Sequence, residues 1–174
     1  MNRRIVALFI GAVALVVMTA IGVEPQTADP VKLTPRPRMV IWEQGKFQLT
    51  KFTKIMYSGD GAKAESESLA AKLRPATGYP FPVAGPPPAG TFISGIFLEL
   101  GDPKATPMGP DGFGMAVGHG NVRVSATTTN GLAKGCTILL QLLPAAILEK
   151  TPQVNVKWEM LRCTVMDIPD GPEK

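Results

Sequence analysis

The chain has 174 residues, a formal charge of +4, 17 prolines and 18 glycines, but only two cysteines and one histidine. That length suits one domain with short accessories. Two cysteines cannot build a disulfide scaffold, one histidine cannot build a multi-histidine metal site, and 18% charged residues exclude an acidic disordered chain.

The mean hydropathy of +0.13 is weighted by the amino terminus. Asn2-Arg3-Arg4 is a short positive flank, followed by an apolar run from Ile5 to Val23. That order is the mark of an export signal, and the small residues of Ala20-Ile21-Gly22 place cleavage after Gly22. The alternative is an uncleaved anchor, because the run approaches the ~20 residues that span a bilayer. Either way the folded part is expected outside the cytoplasm, periplasmic or extracellular. Without this segment the apolar share falls to about 40%, ordinary for a globular domain. Loss of Arg3 and Arg4 leaves 16 basic against 14 acidic residues, scattered rather than clustered, so no nucleic-acid partner is expected. The chain therefore divides into a signal or anchor over 1–22, a linker over 23–32, a domain over 33–170 and a tail over 171–174.

Within the domain, Met39–Trp42 is a short apolar strand that Gly45 interrupts. Lys46–Thr50 alternates and sets Phe47 and Leu49 on one face. Lys54–Tyr57 predicts another strand. Ala62, Leu69, Ala70 and Leu73 recur at helical spacing, and Pro75 with Gly78 is expected to end that helix. Residues 75–110 hold nine of the 17 prolines, and only Thr91–Leu100 in that stretch reads as a strand. Phe113, Met115 and Val117 alternate up to a turn at Gly118–Asn121, and Val122 and Val124 alternate back, which predicts a hairpin. A second helix is expected to start with Asn130 as its N-cap. Leu132, Cys136, Leu139, Leu140 and Leu143 form its apolar stripe, and Pro144 stops it. Trp158–Ile168 is the last strand. Short strands with two amphipathic helices predict an α+β fold: a two-layer sandwich, mostly antiparallel, with both helices on one face.

Candidate chemistry is sparse. His119 lies between two glycines in the hairpin turn with no neighbouring nucleophile or orienting partner, and reads as a solvated turn residue. Gly112-Phe113-Gly114 and Gly118-His119-Gly120 do not feed a helix N-terminus, as a phosphate loop must. Cys136 and Cys163 face the same core, as buried free thiols or as a bridge. Glu65 and Glu67, two apart on a helix, do not face each other. Asp167 and Asp170 flank Pro169 near the chain end, with nothing following to enclose them. No catalytic, cofactor-binding or metal-binding residue is expected.

Four segments carry a resemblance to a family. Thr34-Pro35-Arg36-Pro37 with Trp42 and Gly45–Leu49, then Glu67–Pro80, then Asp111–Val117, then Thr129–Pro144 together resemble the non-catalytic N-terminal domain of family 20 glycoside hydrolases, the β-N-acetylhexosaminidases. The resemblance covers roughly residues 33–170, and implies an antiparallel or mixed sheet with two helices on one face. In that family a (β/α)₈ barrel follows and carries an adjacent Asp-Glu pair. The glutamate is the general acid/base, the aspartate orients the acetamido group, and the substrate's acetamido oxygen is the nucleophile. Arg162–Pro169 is similar to the connector before that barrel, and Asp167 matches a connector aspartate with no catalytic role. Here Asp170–Lys174 stands where the family continues, so the barrel is the expected but missing partner, and this chain alone is expected to be inactive. A stand-alone module touching glycan or protein is the alternative, with Trp42 and Trp158 as the available stacking residues.

Overall fold

The computed structural model describes residues 29–86, 88, 94–104 and 108–168, and the chain from Val31 onward forms one compact body. The segment expected to be an export signal or anchor, Phe92, Asp170 and the expected tail lie outside the described residues. Seven strands form one sheet: β1 (Met39–Gln48), β2 (Lys54–Ser58), β3 (Val83–Ala84), β4 (Gly95–Leu100), β5 (Phe113–Val117), β6 (Asn121–Ala126) and β7 (Glu159–Asp167). Two helices, α1 (Ala62–Thr77) and α2 (Thr129–Leu142), and a 3-10 turn over Ala145–Leu148 complete it.

The α+β class expected from the sequence is observed, with a mixed sheet in the order β1-β7-β5-β6-β4-β2-β3. Strands β1, β7, β5 and β6 pair antiparallel, whereas β6, β4, β2 and β3 pair parallel. A mixed sheet is one of the two arrangements that the family resemblance implies. Parallel neighbours need a crossover rather than a tight turn: α1 separates β2 from β3 and β4, and β5 intervenes between β4 and β6.

Local patterning explains most elements. The β5–β6 hairpin forms as predicted, with Met115 opposite Val124 and the Gly118 N–H donating to the Asn121 carbonyl at 2.8 Å. Phe113, Met115, Val117, Val122 and Val124 are all buried, so strict alternation commits one face to the core. α2 lies against that face, because a Cβ on Gly135 would stand 2.5 Å from Val124 Cγ1 and 3.1 Å from Phe113 Cδ2. α1 supplies Leu69, Ala70 and Leu73 to the same buried cluster, joined by Leu132, Leu139 and Trp158.

Several local expectations are corrected. Gly45 does not split two strands; β1 runs through it, with a register shift between Trp42 and Lys46. A bulge absorbs the extra residues while pairing with β7 resumes. Pro75 does not end α1, because in the last turn its missing N–H forfeits a single bond. Gly78 closes the helix instead, at φ 69°, with its N–H on the Arg74 carbonyl at 2.9 Å. The N-cap of α2 is Thr128, not Asn130: its Oγ1 accepts from the Gly131 N–H at 3.0 Å. Val83–Ala84, expected as loop, pairs in parallel with Ile55–Met56. β4 begins at Gly95, and residues 91–93 of the expected strand are not described.

Candidate functional site

The densest polar cluster is built by the β1 bulge. Gly45 takes φ +102°, a conformation that L side chains rarely adopt. Its missing side chain leaves room for two others, because a Cβ there would stand 3.1 Å from His119 Cε1 and 3.2 Å from Arg162 Cδ. Arg162, on β7 between Leu161 and the buried Cys163, reaches into this gap. One terminal nitrogen donates to the Gln44 carbonyl at 2.9 Å, and the other lies 2.6 Å from Glu43 Oε2.

His119 reaches the cluster from the β5–β6 turn, its Nε2 3.1 Å from Arg162 NH1. A guanidinium has donors only, so Nε2 accepts and the ring proton sits on Nδ1. The histidine is exposed, as expected of a turn residue. Its bond to an arginine 43 positions away leaves no trace in the local pattern. The Glu43 carboxylate is paired with Arg162 through Oε2, and Thr164 Oγ1 donates to its Oε1 at 3.5 Å. What these groups do together is brace the bulge and tie three strands.

The remaining candidates lie apart from this cluster. Glu67 is exposed and 3.9 Å from Lys63 one helical turn away, and Glu65 is half-buried. Asp167 accepts from the Arg38 N–H at 3.3 Å where β7 leaves the sheet. Cys136 and Cys163 are buried free thiols in one hydrophobic cluster. Burial pushes the Cys136 thiol up to about 12, with Glu65 adding to the rise and Lys72 opposing it. Burial likewise raises Cys163 to about 11, assisted by Glu43. Neither is a poised nucleophile, since the thiolate is the reactive form. Glu159 is held below the usual carboxylate range, first by its hydrogen bond from Lys46 at 2.9 Å. Trp158 is buried, and Trp42 is half-buried against the core. Among the described residues, no three His, Cys, Asp or Glu side chains gather as metal ligands would.

A second polar knot, not anticipated, locks the loop before β5 to α2. Asp111 accepts from the Asn130 side chain and lies 3.0 Å from Lys134 Nζ. Asn130 thus serves this loop rather than the helix cap.

The model for glycosyl hydrolase family 20, domain 2, matches residues 31–167. Among solved structures, the β-N-acetylhexosaminidase of Streptomyces coelicolor A3(2) superposes with a TM-score of 0.68 at 30% identity. The N-acetyl-β-hexosaminidase of Streptomyces plicatus gives 0.68 at 29% identity. Both matches cover 79% of this chain but only 26% of the relative, so this chain spans about a quarter of their length. The exo-β-N-acetylglucosaminidase of Vibrio harveyi, at 18% identity and a TM-score of 0.58 over 78% of this chain and 19% of its own, shares the fold. No curated protein matches. Through residues 31–167, the chain belongs to glycosyl hydrolase family 20.

Proposed function

We propose that this chain is the supporting, non-catalytic domain of an exported β-N-acetylhexosaminidase, whose complete form removes terminal N-acetylhexosamine from glycans. The observation that carries the reading is the match over residues 31–167 to domain 2 of the family, together with the quarter share of the Streptomyces enzymes that the chain spans. The polar cluster around Arg162 fits the same role: its charges neutralise one another and hold strands in register. Chemistry in this reading belongs to a catalytic domain, and this one contributes folded bulk beside it.

The test is hydrolysis of an aryl N-acetylhexosaminide by the purified chain. No turnover is expected, and measurable turnover that survives repurification overturns the supporting role. Export is tested separately by the mass of the exported product, which should lack Met1–Gly22. A stand-alone glycan-binding module would need an aromatic platform. The burial of Trp158 counts against one, and glycan-array binding lost on Trp42→Ala would favour it.

A further inference from the structure

The strand pairing fixes which residues share one end of the sheet. Gln48 pairs with Glu159, Val117 with Val122, Gly95 with Asn121 and Lys54 with Gly95, so β1 and β5 finish where β2, β4, β6 and β7 begin. Two connections cross that end. Residues 49–53 join β1 to β2, and the Leu49 N–H donates to the Trp158 carbonyl at 2.8 Å. Residues 149–158 lead into β7, and the Gln153 N–H donates to the Ala76 carbonyl at 2.7 Å.

The first connection presents an apolar knob. Phe52 is 76% exposed, on a turn fastened by the Thr53 N–H on the Thr50 carbonyl at 3.0 Å and the Thr50 N–H on Thr53 Oγ1 at 2.9 Å. Lys51 Nζ stands 5.1 Å from the centre of its ring. Val154, on the second connection, is 84% exposed. Charge gathers at the same end. Residues 46–54 and 149–159 carry five lysines against Glu149 and Glu159, and Lys46 already holds Glu159. Lys51, Lys54, Lys150 and Lys157 are exposed, with no carboxylate within 4.0 Å among the described residues. At the other end Asp60, Asp102, Asp111 and Asp167 offset the bases. The upstream chain also leads to the basic end. Val31 borders a hollow with Lys46, Lys157 and Glu159, and in sequence only residues 24–30 separate it from the apolar run Ile5–Val23. Seven residues reach at most about 25 Å.

We propose that this end of the domain, with Phe52 between Lys51 and Lys54, binds the surface of an anionic phospholipid bilayer. The lysines meet lipid phosphates while the ring enters the interface beneath them. Each lysine near such a surface raises affinity about fivefold. An anionic polysaccharide would attract the lysines but offers Phe52 and Val154 no apolar layer to enter. The contact is independent of the supporting role and of the fate of the apolar run. Retained, the run tethers this end to a bilayer; removed, the ring and lysines bind alone.

The experiment places a nitroxide at position 52 or, for comparison, at position 39, through Phe52→Cys or Met39→Cys. Cys136 and Cys163 are buried and stay unlabelled. The whole chain is added to phosphatidylcholine vesicles with or without phosphatidylglycerol. Collision of the label with oxygen, relative to a water-soluble nickel complex, should rise about threefold or more at 52 when phosphatidylglycerol is present, and stay unchanged at 39. Lys51→Glu with Lys54→Glu should abolish the rise, and Lys51→Arg with Lys54→Arg should keep it. Salt at about 1 M should abolish it without either substitution, which covers a double variant that fails to fold. No rise at 52, an equal rise at 39, or a rise that survives both charge reversal and salt overturns the proposal. So does retention on heparin by a chain that makes no lipid contact, which would make an anionic polysaccharide the partner.

Discussion

The side-chain amide of Gln141 holds both backbone groups of Thr34, 107 positions away: its Nε2 donates to the Thr34 carbonyl and its Oε1 accepts the Thr34 N–H, each at 2.7 Å. This pair fastens the segment before β1 to the last turn of α2. On either side of it, Leu33 is buried and Asp167 accepts the Arg38 N–H. Gln141→Ala removes two hydrogen bonds and is expected to cost about 1–2 kcal/mol. Exchange of the Thr34 amide should quicken while amides of β5 and β6 keep their protection, a pattern read by hydrogen-exchange mass spectrometry. Uniform quickening would show that the segment is not a separate unit.

Gly135 should respond against the usual helix rule. In an exposed helix, Gly→Ala stabilises by about 1 kcal/mol. Here the added methyl would stand 2.5 Å from Val124 Cγ1, on a β-branched side chain with little freedom to move. Gly135→Ala is therefore expected to lower stability by about 1–3 kcal/mol, the cost of overpacking. Denaturant titration checks the sign, and a gain would mean that α2 can lift from the sheet without penalty.

The two candidate caps of α2 separate cleanly. Thr128→Ala should cost about 1 kcal/mol through the lost bond to the Gly131 N–H. Asn130→Ala leaves that bond intact and removes only an exposed contact to Asp111, so it should cost less. Thermal melts of the two variants, side by side, decide which residue starts the helix.

The cysteines set an alkaline limit. An unfolded thiol titrates near its ordinary value of 9.0, whereas the folded values are about 12 for Cys136 and about 11 for Cys163. Between those values the unfolded chain binds fewer protons than the folded one, so stability falls as pH rises. The contribution is complete below about pH 9 and is lost progressively through the folded values. Its slope is at most about 1.4 kcal/mol per pH unit for each thiol. Cys163→Ala should flatten the decline between pH 9 and about 11, although the lost packing lowers stability throughout. At neutral pH neither thiol should react with a maleimide until the protein unfolds.

The hairpin was legible because Phe113, Met115 and Val117 declare their face within five residues. α2 was legible because its stripe recurs every turn. The bulge was not: Gly45 looks like an interruption when only neighbours are read, and its purpose depends on His119 and Arg162 arriving from other parts of the sheet. The Glu43–Arg162 pair spans 119 positions, and no local pattern announces it. The parallel half of the sheet was hidden similarly, since crossover direction is set by how α1 packs and not by the composition of β2 or β4. Pro75 misled because a proline breaks a helix interior but is tolerable near its end. The cap of α2 misled because Thr128 and Asn130 are both good cap residues, and only the Gly131 N–H chooses between them.

The pairing of Met39 with Met166 brings the first residue of the sheet beside one of its last. The sheet therefore begins and ends at one corner, but the domain does not. Its first residues run back beside the strands, so that Val31 borders the same hollow as Lys46 and Glu159, at the far end of the β1–β7 pair. A link between the two ends has the length of β7 to cross, at about 3.3 Å per residue.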